Sequence, residues 1–214
     1  MNSTNEKSKL WSKIRDEILN CTSCRLHSYR RNAVPGEGNL SADILFLGEA
    51  PGRREDELGR PFVGAAGKLL DTLLNDIGIK RDEVFITNVV KCRPPNNRDP
   101  KDDEIRSCSR HTIKILELVR PKVIVTLGNY AGKFVFEYLL KRKWLGISRC
   151  RGKVYELSST ELGSVMIIPT YHPAAALYNP KLRDYLEYDF KLILNTMKNL
   201  RDMKKRKSLL DFMR

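Results

Sequence analysis

The chain has no stretch of about 18 consecutive apolar residues, which excludes a membrane-spanning helix. Its first residues, MNSTNEKSKLWSK, lack the apolar core of a secretory signal, so an intracellular (cytoplasmic) protein is expected. No internal repeat and no low-complexity tract is visible, and neither a phosphate-binding P-loop nor a GxGxxG fingerprint occurs. Glutamine is absent altogether; with abundant lysine and arginine this leans towards a thermophile, although 13 asparagines pull the other way. At 41% hydrophobic and 30% charged, the composition excludes bulk disorder.

What is present is a basic chain of 214 residues, long enough for one domain with a sizeable core. The expected organisation is a single domain over 1–200 and a basic tail over 201–214. The formal charge is +13. Residues 141–153 carry six basic and no acidic side chains, and residues 198–214 carry seven basic and two acidic, so two patches hold most of the excess. Such a balance points to a polyanion, most often nucleic acid.

Hydrophobic patterning alternates between strands and helices. Helices are expected over 7–20, 66–77, 130–142 and 180–200, with one more opening at Asp99-Pro100, where Asp99 would cap. Strands are expected at 43–48, 84–90, 122–127 and 165–170, with a short extra one at 153–157. This order implies a mostly parallel sheet covered on both faces, with the site beyond the carboxyl ends of its strands. Four unusual segments sit there: GEAPG (48–52), the run after TNVV, LGN (127–129) and YHP (171–173).

Several residues in these segments can carry chemistry. Glycines around Ala50 and Gly52 let backbone N–H groups approach a ligand. Glu49, Glu55 and Asp56 are candidate bases. Phe62 can stack on a planar ligand or be core. Asn88 interrupts an apolar strand and can present a donor and an acceptor to an amide-like edge. His172 stands at a strand end. Cys21 and Cys24 form a C-x2-C pair; with Cys92 and Cys108 they suit core packing, zinc or an iron–sulfur cluster, and spacing alone does not separate these. Cys150 is left over, a candidate free thiol in the basic patch.

Cys21-x2-Cys24, GEAPGRREDELGRPFVGAAGKLL (48–70), TNVVKCRPPNNRDP (87–100) with Cys108 beyond, and HPAAAL (172–177) together resemble the family 4 uracil-DNA glycosylases, the thermostable iron–sulfur type. The resemblance spans about residues 14–200. It implies a three-layer α/β/α sandwich around a central four-stranded, mostly parallel sheet. It also implies a [4Fe–4S] cluster on Cys21, Cys24, Cys92 and Cys108, and excision of uracil from DNA by a monofunctional enzyme that flips the nucleotide out and leaves an abasic site.

Carried onto this chain, the resemblance makes Phe62 the stacking ring and Asn88 the reader of the uracil edge. His172 faces O2, and backbone around Ala50 to Gly52 adds a contact there. Glu49 positions the attacking water or steadies the sugar cation, and Glu55 lines the pocket near C5. Leu177 wedges into the base stack. Tyr178 stands where family members often carry arginine, which removes a phosphate contact. Residues 206–213 resemble a sliding-clamp motif in their apolar spacing, with Arg206 in place of the usual glutamine. A monomer is expected. A non-catalytic nucleic-acid-binding module with a structural metal, and a sibling glycosylase of broader base choice, are the competing readings.

Overall fold

Strand segments that are apolar at every position are buried on both faces, and that requires helices above and below the sheet. The computed structural model, which describes residues 3–212, has this arrangement. In chain order the elements are α1 (Ser3–Leu19), β1 (Glu37–Gly38), β2 (Ile44–Gly48), α2 (Arg53–Leu58), α3 (Ala65–Asp76), β3 (Phe85–Asn88) and α4 (Asp102–Val119). There follow β4 (Val123–Leu127), α5 (Asn129–Phe134), α6 (Ile147–Cys150), β5 (Tyr155–Ser159), β6 (Gly163–Thr170), α7 (Pro173–Tyr178) and α8 (Leu182–Phe212).

The sheet order is β1-β3-β2-β4-β6-β5. The four central strands are parallel, and β1 and β5 add antiparallel edges, so the sheet has six strands rather than four. The β1 edge has only two residues, preceded by Gly36 and ending in Gly38, both at positive φ, and is too short to leave a periodic signal. The strand order reverses between β2 and β4. The chain leaves β2 for β3 on one side and returns to β4 on the other, which opens a crevice at the carboxyl edge.

Alternation along each strand sorts side chains between two cores. Leu45, Leu47 and Ile124 pack with Ile18, Ile105, Ile115 and Phe134 under α1, α4 and α5. Ile44, Phe46, Val123 and Val125 pack with Leu70, Leu74, Phe190 and Ile193 under α3 and α8. On α3 the i, i+3, i+4 stripe delivers Leu70, Leu73 and Leu74 to that core, and Gly78, at φ 72°, turns the chain away after it.

Several local expectations need correction. Helix α4 starts at Asp102, not at Pro100, because Glu104 reaches back to accept from the Lys101 amide (2.8 Å) and fixes the start there. Asp99 is thereby freed from capping and accepts from the Tyr130 hydroxyl (2.8 Å). β3 stops at Asn88, although the Val89 and Val90 amides continue alongside β2's exit, donating to Gly48 and Glu49 carbonyls. The helix expected over 130–142 is α5 followed by a π-helical turn, Val135–Leu139. The last helix runs to Phe212 instead of ending near 200. The side chains of the clamp-like run 206–213 lie outside the described residues. Cys150 is a free thiol, and it lies buried in the core. Among the described residues no helix is long and apolar enough to cross a membrane.

Candidate active site

At the carboxyl edge lies a cavity of about 310 Å³, near the lower end of small-ligand sites. Glu49, Ala50 and Gly52 from the loop after β2, Glu55 on α2, Phe62, Asn88 ending β3, and His172 after β6 all line it. The sheet therefore brings seven of the expected site residues into one space. Asp56 is not among them. It is buried on the far side of α2, where Oδ1 accepts from the Arg31 (2.9 Å) and Asn32 (3.3 Å) amides, and its role is to hold that loop.

Asn88 is 1% exposed, and its Oδ1 has no hydrogen-bond partner. An orphaned buried acceptor costs about 1–3 kcal/mol, so its retention in a cavity marks a place for a ligand donor. Gly48 pairs with Asn88 across the sheet and makes room for it. A Cβ at Gly48 would lie 2.3 Å from Asn88 Oδ1 and 2.7 Å from the Phe62 ring.

Phe62 adopts φ 49°, an unfavourable conformation for a residue with a bulky side chain. Three neighbouring residues hold it there. Glu55 Oε1 accepts from the Val63 (2.9 Å) and Gly64 (2.8 Å) amides. Arg81 donates to the Pro61 (2.7 Å) and Phe62 (3.2 Å) carbonyls. Gly67 leaves space that a Cβ would fill, 1.8 Å from the Phe62 carbonyl oxygen. Strain of about 1–3 kcal/mol maintained in this way is characteristic of functional sites. The Phe62 ring stacks on His172, centroids 5.5 Å apart at 27°.

His172 caps α7: its Nδ1 accepts from the Ala174 amide at 3.1 Å. An accepting Nδ1 carries no proton, so the neutral ring is protonated at Nε2 and donates there. Burial lowers its pKa to about 4, which keeps the ring neutral near pH 7. Glu49 moves the other way. Burial, reinforced by the negative charge of Asp99, raises its pKa to about 7. A carboxyl poised near neutrality in a cleft is suited to proton transfer.

Sequence reasoning passed over Asp99 as a neighbour of Glu49, and also Asn97 and Arg98, which line the cavity. Their signal was the loop PPNNRDP, turn-rich and at a strand end. Arg98 is held by a bidentate pair with the fully buried Glu104 (2.7 and 2.9 Å). Leu177 is on α7 outside the cavity, 49% exposed, beside Tyr178 at 91%. Of the basic patch at 141–153, Arg151 is taken up internally: it pairs with Asp189 and lies over the Tyr185 ring (4.6 Å).

A second constellation lies under α1 and α4. Cys21, Cys24, Cys92 and Cys108 line one cavity, joined by Lys91, His27 and His111. Arg30 Nη1 is 3.1 Å from Cys92 Sγ, and Arg110 Nη2 is 3.6 Å from Cys21 Sγ. Guanidinium donors suit sulfurs that carry charge. Among the described residues, no three His, Cys, Asp or Glu side chains converge to hold a single metal ion.

A ring able to stack, an amide able to pair and a neutral imidazole able to donate share one small cavity of a doubly covered parallel sheet, an arrangement suited to a flat heterocycle. The chain belongs to the uracil-DNA glycosylase superfamily, whose family model matches residues 35–196. It is 53% identical over 182 residues to the type-4 uracil-DNA glycosylase of Sulfurisphaera tokodaii, covering 85% of this chain and 82% of the relative. It is 52% identical over 177 residues to that of Archaeoglobus fulgidus, covering 83% and 88%. The type-4 enzyme of Saccharolobus solfataricus is 51% identical over 181 residues, covering 84% and 83%.

Proposed function

We propose that the chain excises uracil from DNA as a monofunctional glycosylase of the type-4 kind. The orphaned Asn88 Oδ1 is the observation that carries this reading. Uracil presents a donor at N3 and an acceptor at O4, which match the two ends of the Asn88 amide. Cytosine presents an acceptor at N3, which would leave two buried acceptors facing each other.

In the reaction the flipped base stacks on Phe62. The C1′–N1 bond breaks and its electron pair leaves with uracil, spreading from N1 to O2. His172 Nε2–H donates to O2, and the Ala50 and Gly52 amides are the backbone donors nearby, since Pro51 has none. Water adds to the oxocarbenium-like C1′, and the Glu49 carboxylate takes its proton. The uracil anion then takes a proton from solvent and Glu49 gives up its own, so the products are uracil and an abasic sugar. No lysine lines the cavity among the described residues, which supports water over an amine nucleophile and hence no strand-cleaving step. Glu55 sits where it shapes the pocket, but its bonds to Val63 and Gly64 make it a positioning residue for Phe62. Leu177, exposed on α7, is the wedge.

Cys21, Cys24, Cys92 and Cys108 would hold the [4Fe–4S] cluster. Four cysteine sulfurs around one cavity form an all-thiolate donor set of the kind such a cluster takes, and the family resemblance favours the cluster over zinc. Cys21 and Cys24 after α1, Cys92 after β3 and Cys108 on α4 would then be tied together through that group. The chain's own residues do the chemistry.

Single-turnover assays on matched oligonucleotides containing U, T or C test the reading: alkali-revealed cleavage at U alone is expected. Cleavage nowhere, by cluster-loaded protein, would return the chain to a binding module; comparable cleavage at other bases would favour the broader sibling type. Gly48→Ala is expected to displace Asn88 and Phe62, cutting excision by about 100-fold and stability by about 1–3 kcal/mol. Normal excision by that variant would refute the close fit. The clamp reading of 206–213 rests on sequence alone. Deleting 206–214 should abolish capture by a sliding clamp in a pull-down while leaving excision from short oligonucleotides intact.

A further inference from the structure

Lys91 is 1% exposed, an extreme burial for a lysine. Its Nζ has three N–H groups and three oxygens to receive them: Thr87 Oγ1 (2.9 Å), Thr112 Oγ1 (3.0 Å) and the Asn88 backbone carbonyl. All three acceptors are neutral, so none answers the ammonium charge. The cavity that Lys91 lines is walled by Cys21, Cys24, Cys92 and Cys108, and its backbone amide faces the Cys108 sulfur. Cys92 and Cys108 are the nearest sulfurs that can face its charge, and a bound cluster would hold them as thiolates. The acceptors are themselves fixed from elsewhere. Thr87 donates to the Pro35 carbonyl (2.7 Å), and Thr112 on α4 donates to the Val89 carbonyl (3.0 Å). Asn88 and Lys91 are thus two ends of one short tether, with the base-reading amide at one end and the cysteines at the other.

We propose that Lys91 is a positioning residue that couples the cysteine centre to the base-reading pocket, by fixing the Asn88 backbone through its carbonyl while the cysteine sulfurs balance its charge. The coupling rests on the cluster reading above and goes beyond it. There the centre braces segments of chain. Here its state is felt at one named amide in the pocket. Coupling between two sites is reciprocal, so a ligand bound at Asn88 must also register at the cluster.

The test uses the cluster-loaded protein and free uracil. Visible circular dichroism reports the cluster, and titration calorimetry reports uracil affinity. In the unaltered protein, uracil is expected to shift the visible dichroism. In Lys91→Met that shift disappears and uracil binds about tenfold more weakly. Thr112→Val, which removes one acceptor and leaves the ammonium, should give intermediate values of both. Asn88→Ala should lose the uracil-induced shift with no change in its unliganded spectrum. A merely structural lysine would alter stability without linking the two signals.

A wild-type protein whose visible spectrum ignores saturating uracil overturns the proposal. So does a Lys91→Met protein with unchanged affinity and an unchanged shift. If Lys91→Met does not fold or lacks the cluster, Thr112→Val decides: a wild-type response in both measurements sinks the coupling. Absence of any visible cluster band in the unaltered protein defeats the cluster reading itself, a separate outcome.

Discussion

Replacing Asn88 by alanine is expected to lower single-turnover uracil excision about 1000-fold while the melting temperature stays level or rises slightly. The size follows from two hydrogen bonds to the uracil edge, each worth about 2 kcal/mol in a closed site, at about 1.4 kcal/mol per decade of rate. The sign of the stability change follows from the free protein. Asn88 Oδ1 is buried with no partner, so removing it relieves a desolvated acceptor. Loss of function without loss of stability is the signature of a residue kept for its ligand. DNA affinity, set by phosphate contacts, should hold. Near-normal cleavage by the variant, or a large drop in melting temperature, would assign Asn88 to the scaffold.

The second large effect is on pH. If Glu49 acts as a carboxylate, the rate at subsaturating substrate should fall about tenfold per pH unit below its pKa of about 7 and level off above it. His172, at about 4, stays neutral through this range and adds no limb. Glu49→Gln should erase the limb and lower the plateau by about 100- to 10,000-fold. Asp99→Asn separates the two causes of the Glu49 shift. The Asp99 charge raises the Glu49 pKa, so removing it should move the limb to lower pH. Burial, the larger cause, should keep the limb above the ordinary carboxylate value. A flat profile in the unaltered enzyme, or a limb that survives Glu49→Gln, would transfer the role to another group.

Much of the framework was legible because helix and strand periodicities are local. Leu69, Leu70, Leu73 and Leu74 mark a helix face wherever α3 packs. The four parallel strands appeared as apolar runs because both their faces are covered. Their carboxyl ends could then be lined up, and the glutamate, asparagine and histidine at those ends fell on one edge. Local rules failed where a distant partner outbid a near one. Asp99-Pro100 has the form of a helix start, yet Tyr130 takes the Asp99 carboxylate and Glu104 sets the start at Asp102. Arg151 counted as patch charge, yet Asp189 and Tyr185 hold it. Asp56 sits one residue from Glu55 and looks equivalent on paper. One helical step places Glu55 against the pocket and Asp56 against the loop at 31–32.

The sequence by itself determined the alternation of strands and helices, the edge where the site would lie, the residues able to stack on, read and donate to a base, and the four cysteines. Only the tertiary structure decided that those cysteines share a cavity, that Asn88 Oδ1 is left without a partner, that Glu49 titrates near neutrality, and that Lys91 is buried between the two sites. The physical reason is range. Which face of an element is apolar depends on neighbours a few residues away. The desolvation and hydrogen-bond partners that set a buried polar group's behaviour come from whatever parts of the chain the fold packs around it.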